Sequence, residues 1–303
     1  MEAGSLRRIC VTGASGKAGR AVVRDLLQHG YEVVATDIEV SREDAGKGLL
    51  RADLTDYGQA VEVLKGVDAV IHLANIPAPG LQTPSVTFNT NMAMNFNIFY
   101  AAVSNGLSRV VWASSETTLG LFFGVTRQQF PSMEVDGRPP RYAPVDEDHY
   151  PYPTVTYALS KVASETIAGQ ISEWSEVPFL ALRFSNIMYP EDYQEFPSFW
   201  SNPHLRKWNL WGYVDVRDVA TACRQALTAP SEAVAGSLGL IIAAADTVMN
   251  RPSVGLMTEV FPGVPLTRDI GEYETLLAIN RARETIGYEP HHSWRDHIPE
   301  SSL

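Results

Sequence analysis

Short runs that are apolar almost throughout alternate along this chain with longer segments of helical periodicity. The run Ile9 to Thr12 enters a glycine-rich turn, and a helix is expected from Lys17 to His29, stopped by Gly30 at its C′ position. A second strand is expected from Glu32 to Asp37, then a helix near Tyr57 to Leu64, a strand in "DAVIHLA", a long helix through Phe88 to Asn105 and a strand in "RVVWASS". Runs of this kind keep no polar face for solvent, so they belong to a parallel sheet covered by helices on both sides. Right-handed crossovers then give an α/β fold, a doubly wound Rossmann-type parallel sheet.

The rhythm breaks after Ser115. Residues 120 to 152 are rich in Pro, Gly, acids and aromatics, and Phe122, Phe123, Phe130, Tyr142, Tyr150 and Tyr152 favour an ordered functional loop over a linker. A helix starting at Thr156 and the strand "FLALRF" restore the pattern. A helix around Val216 to Leu227, a strand "LGLIIAA" and short helices near 252 to 261 and 274 to 286 make a smaller C-terminal lobe.

Composition narrows the function. The chain of 303 residues is 45% hydrophobic with a net charge of −11, enough apolar content for a large core and no domain-wide basic patch for nucleic acid. No run of about 18 apolar residues suggests a membrane span, and the opening "MEAGSLRRICVTG" has too short an apolar run for a signal peptide, so a cytoplasmic protein is expected. Two cysteines, Cys10 and Cys223, argue against a disulfide framework and read as buried bystanders. No Cys/His cluster has metal-ligand spacing, "PHHSW" included, and no metal is expected.

The first turn reads Thr12-Gly13-Ala14-Ser15-Gly16-Lys17-Ala18-Gly19. Gly13 can take a tight turn, Gly16 lets backbone approach a pyrophosphate and Gly19 permits close helix packing, while the helix N-terminus favours negative charge. Asp37, at the end of the next strand, can accept hydrogen bonds from an adenosine ribose and would repel a 2′-phosphate, which favours NAD over NADP; Arg42 nearby softens that preference. Asp53 and Leu54 in "ADLTD" are placed near the adenine, although Asp53 also reads as a turn or helix-start acid. In "HLANIP", Leu73 and Ala74 let a cofactor pass over the backbone, and His72 reads as a satisfied histidine under the sheet.

With these pieces, "VVWASSETTLG", "YALSK", "LRFSNIMYP", "YVDVRDVA" and "IGYEP" in the same order, the chain resembles the extended short-chain dehydrogenase/reductase superfamily, the NAD-dependent epimerase/dehydratase family. The resemblance implies a dinucleotide domain over residues 1–185 and a mainly substrate-binding lobe over 186–303, partly interleaved with it. It implies a catalytic group of Ser115, Tyr157 and Lys161, with Ser114 structural because Ser115 is the one five residues before Gly120. It also brings Asn91 and Asn186 to the cofactor, Asn91 as support for a proton-relay water or as a plain helix residue. A homodimer is implied through the helices that carry Asn91 and Tyr157.

The chemistry suits those types. Tyr157 and Lys161 are four apart and share a helix face; a phenol of pKa about 10 becomes a usable base only beside positive charge. Ser115 can hold the substrate oxygen. The expected activity is hydride transfer between NAD and a secondary alcohol or carbonyl of a sugar-like small molecule. Rivals are a nucleotide-sugar 4-epimerase or dehydratase with tightly bound NAD, and a non-catalytic NAD-binding regulator. The short segment between Asn186 and Asp215 argues for a ligand smaller than a nucleotide sugar, and Arg183, Arg206, Lys207 and Arg217 are the cations available for a carboxylate or phosphate. The aromatics of "FPSFW" and "WNLWGY" serve either sugar stacking or core packing.

Overall fold

The computed structural model describes residues 6–40, 48–121 and 138–298. Its strands are β1 (Arg8–Thr12), β2 (Glu32–Asp37), β3 (Leu49–Arg51), β4 (Ala69–His72), β5 (Arg109–Ser115), β6 (Phe179–Phe184), the short pair β7 (Ile187–Met188) and β8 (Val214–Asp215), and β9 (Ser237–Ile242). Seven of them form one parallel sheet in the order β3-β2-β1-β4-β5-β6-β9, as expected for a doubly wound fold. The chain winds outward from β1 to β3 and then returns to β4 on the other side of β1. That reversal opens a crevice at the carboxyl ends of β1 and β4.

The helices are α1 (Lys17–Gln28), α2 (Tyr57–Val63), α3 (Pro84–Ser104), α4 (Thr156–Ser175), α5 (Val216–Thr228), α6 (Ser253–Val260) and α7 (Asn280–Ile286), with a single helical turn at Pro197–Trp200. Alternate strand residues feed opposite layers because strand side chains point to the two faces in turn. Ile9, Val11, Ile71 and Val111 pack with Val22 and Leu26 of α1 and with Val219 and Cys223 of α5. Cys10, Val70, Val110 and Trp112 pack on the other face with Ile98 and Phe99 of α3 and Ile171 of α4. Both cysteines are buried and unpaired, and burial pushes their thiols up, Cys10 to about 12.

Two boundaries differ from expectation. The long helix begins at Pro84, a turn before Phe88, because Thr83 is extended and the proline ring suits a first helical position. Residues 274–279 are not helical: Val145 N–H donates to Leu276 O at 2.8 Å and Ala278 N–H donates to Val145 O at 2.7 Å, so bridges to a segment remote in sequence occupy the backbone groups a helix would need. The C-terminal part returns to the main sheet. Its β9 pairs with β6, and Arg224 of α5 reaches Asp25 of α1 at 2.8 Å. Phe122, Phe123, Phe130 and Arg42 lie outside the described residues. Among the described residues no helix is long and apolar enough to cross a membrane.

Candidate active site

At the end of β1 the chain turns through Gly13, whose φ of +66° lies in the left-handed region. A Cβ there would stand 2.6 Å from Ala74 N, and one on Gly19 would stand 2.1 Å from Gly13 O, so both close approaches require glycine. Gly16 is the N-cap of α1, which has no side-chain cap and no acid in its first turn. That helix start therefore offers N–H groups and a positive dipole end to an anion. Asp37 Oδ2 accepts from Ser15 N–H at 3.0 Å and from the Ser15 hydroxyl at 2.5 Å, tying the turn to β2 while the carboxylate lines the cleft. Lys17 is engaged elsewhere: its ammonium donates to Ile187 O at 3.1 Å and pairs with Asp192 at 2.8 Å, tethering the turn to the segment after β7.

The floor between β1 and β4 is held by a polar chain. Thr12 Oγ1 accepts from the N–H groups of Leu73 and Ala74, both at 3.2 Å, and donates to His72 Nδ1 at 2.7 Å. His72 Nε2 then bonds Asn95 Oδ1 at 2.9 Å, and Asn95 bonds Ser164 of α4 at 2.8 Å. Burial lowers His72 to about 3, so it is a neutral structural histidine. Asn91 clamps Ile76 from both sides, accepting from its N–H at 2.8 Å and donating to its carbonyl at 3.1 Å, and is itself buried off the cleft wall. Asp53 is likewise turned aside, bonding the N–H and hydroxyl of Thr55 at 3.0 and 2.7 Å, while its neighbour Leu54 lines the cleft.

Farther along, β5 ends at two serines with different partners. Ser114 donates to Glu165 at 2.6 Å, within a network that includes Arg183. Ser115 faces the cleft beside Tyr157 and accepts from the Thr117 hydroxyl at 2.9 Å. The Lys161 ammonium lies 5.5 Å from the Tyr157 ring centre and donates to Ala113 O at 2.6 Å. Burial pushes the phenol up to about 12, with the Ser115 hydroxyl opposing, and brings Lys161 down to about 7. The charge of Glu116 adds to the rise, so the phenol lies above its ordinary value although Lys161 stands one turn away, since enclosing either group disfavours its charged form.

Gly13, Ser15, Gly16, Lys17, Ala18, Gly19, Asp37, Leu54, Leu73, Ala74, Ser115, Tyr157, Lys161 and Asn186 all meet in one cleft of about 1050 Å³. Among the expected residues, Asp53 and Asn91 do not line it. Two of the candidate cations are already committed: Arg183 makes a two-pronged pair with Glu165 at 3.0 and 2.7 Å, and Arg217 does the same with Asp215 at 2.7 and 2.9 Å. Phe196, Trp211 and Tyr213 are core, whereas Trp208 lines the cleft. Around "PHHSW", His292 pairs with Asp218 at 2.7 Å, and no metal-holding group occurs among the described residues.

Of the cleft residues that the reading of the sequence did not single out, Glu116 is the charged one nearest the Ser115–Tyr157 pair. Glu116 follows Ser115 directly and lines the cleft, 6% exposed, accepting from Ser185 Oγ at 2.6 Å and Asn209 Nδ2 at 3.1 Å. Burial pushes its carboxyl up to about 7, against the Ser185 and Asn209 hydrogen bonds and the charge of Arg206. The available signal was an acid set immediately after the strand-end serine in "ASSETTLG".

A family model described as the NAD-dependent epimerase/dehydratase family matches residues 9–240. An NAD-dependent glucose-6-phosphate dehydrogenase of Haloferax volcanii is 27% identical over 201 residues, covering 63% of this chain and 74% of that protein. A uronate dehydrogenase of Pseudomonas putida is 30% identical over 165 residues, 54% of each. A crystal structure of a UDP-galactose 4-epimerase superposes with a TM-score of 0.66 at 26% identity, covering 94% of both chains.

Proposed function

Because the chain belongs to the NAD-dependent epimerase/dehydratase family, we propose that it is an NAD-dependent oxidoreductase acting on a secondary alcohol, hemiacetal or carbonyl of a sugar-like small molecule. The observation that carries this reading is the convergence of Ser115, Tyr157 and Lys161 on one wall of the cleft that the glycine turn also lines, with the Lys161 ammonium 5.5 Å from the phenol ring centre. The open N-terminus of α1 suits a pyrophosphate, and Asp37 suits ribose hydroxyls and disfavours a 2′-phosphate, hence NAD over NADP. NAD, when bound, would supply the hydride acceptor, with a positive ring charge in its oxidised form, or the hydride donor in its reduced form.

The residues then divide the work. Ser115 orients the substrate oxygen; Tyr157 takes its proton in oxidation and returns one in reduction. Lys161 stabilises the phenolate that forms, and the carbonyl of Ala113 holds Lys161 in place. Relatives that are sugar dehydrogenases support this direction. A nucleotide-sugar 4-epimerase is the second reading, supported by the likeness to UDP-galactose 4-epimerase over 94% of the chain.

We place the enzyme in the cytoplasm, which its two unpaired buried cysteines support, and as a homodimer through α3 and α4. Phe96, Tyr100 and Trp174 on those helices are exposed and form a continuous aromatic row, with ring centres 5.7 and 6.3 Å apart.

The test is NADH absorbance over a panel of sugars, sugar acids and nucleotide sugars, with wild type and Tyr157→Phe. Net NADH that falls by about 10²-fold or more in Tyr157→Phe supports the dehydrogenase. Sugar interconversion without net NADH selects the epimerase, and full activity in Tyr157→Phe would exclude both.

A further inference from the structure

The substrate end of the cleft presents an acid. Lys17 is held by Asp192, and Arg183 and Arg217 are gripped by Glu165 and Asp215. Lys161 is turned into Ala113 O. Arg206 sits behind Glu116 without lining the cleft: it donates to Gly212 O at 3.1 Å, and Asn186, with its amide oxygen turned to the guanidinium, accepts from both terminal nitrogens at 3.1 Å.

Glu116 stands in front of that arginine. One oxygen accepts from Ser185 and the other from Asn209. A carboxylate offers about four acceptor positions, which leaves room for a donor from the cleft that Glu116 lines. Trp208, which lines the same cleft, offers an apolar face to sugar C–H groups.

Resting on the reading that this is a sugar-oxidising or sugar-reducing site, we propose that Glu116 is a substrate-binding carboxylate. The site accepts a neutral, hydroxyl-bearing sugar or polyol and rejects its carboxylate- or phosphate-bearing analogue. A hydroxyl donates to the free position of Glu116, whereas an anion there meets a like charge; the lysines lining the cleft are Lys161, set beside Tyr157 and bonded to Ala113 O, and Lys17, paired with Asp192. The charged and titratable groups facing Glu116 are Arg206 and Tyr157.

The test measures binding by calorimetry at pH 8.5 with NADH present to block oxidation. Ligands are matched sets: glucose, glucuronate and glucose 6-phosphate, and the galactose and arabinose counterparts. Wild type is expected to bind at least one neutral sugar about tenfold or more tightly than its acid or phosphate. Glu116→Gln should narrow that ratio, and Glu116→Asp, which withdraws the carboxylate by one carbon, should weaken neutral binding while still rejecting the anion. Anions bound as tightly as neutral sugars by wild type, no neutral sugar bound, or an unchanged ratio in a folded Glu116→Gln protein would each overturn the proposal. The wild-type ratio decides even where a variant does not fold. Neutral preference without NADH formation in a separate turnover assay with NAD removes the dehydrogenase reading and leaves Glu116 standing; NADH formation with anion preference does the reverse.

Discussion

Tyr157 and Lys161 face each other across one turn of α4, and burial acts on them in opposite directions, raising the phenol to about 12 and lowering the ammonium to about 7. For Lys161 the consequence is a stability term with a definite sign. Its ordinary value is 10.5, so between about 7 and 10.5 the unfolded chain binds the extra proton, and stability rises with pH across that window. The destabilisation is fully present below about 7 and gone above 10.5. We expect Lys161→Met to lose turnover yet gain stability relative to wild type near pH 7, with the gain shrinking by up to about 1.4 kcal/mol per pH unit towards pH 10. Denaturant melts of both proteins across that range check it; a gain independent of pH would show that Lys161 is charged or solvated in the fold. This pair was legible in the sequence because four positions on a helix always share a face. Glu116 was not, since its burial depends on Ser185 and Asn209, remote in sequence and close only after folding.

Among the elements, the first βα unit is the best read from sequence, and its glycines differ in kind. Gly19 meets the carbonyl of Gly13, so Gly19→Ala should cost about 1–3 kcal/mol and weaken NAD binding by displacing the start of α1. Gly255 in α6 is exposed with nothing near its missing Cβ, so Gly255→Ala should stabilise by about 0.5–1 kcal/mol and leave NAD binding unchanged. Thermal melts with and without NAD distinguish the two; equal effects at both positions would sink the steric account. Strands β1, β2, β4, β5 and β6 were legible because a buried parallel strand is apolar along its length. The segment 274–279 was misread as helix because its partners, Val145 and Asp246, are over a hundred and about thirty positions away, and local pattern carries no record of them.

Across the whole molecule the proposed dimer is the testable property. Trp174→Arg or Tyr100→Glu places a charge in the exposed aromatic row of α3 and α4. Either variant should sediment at half the wild-type mass at micromolar concentration while keeping its NAD affinity within about threefold, because neither residue lines the cleft. A wild type already monomeric at that concentration would dismiss the interface. The sequence by itself determined the strand and helix order, the glycine turn and the shared helix face of Tyr157 and Lys161, because apolar runs, glycine spacing and helix period are local rules. Only the tertiary structure decided which charges face the cleft. Arg183 and Arg217 looked available until Glu165 and Asp215 were seen to hold them, while Glu116 came forward from an unremarked place beside Ser115. Charge at a site is what remains after pairing, and pairing is made between residues that only the fold brings together.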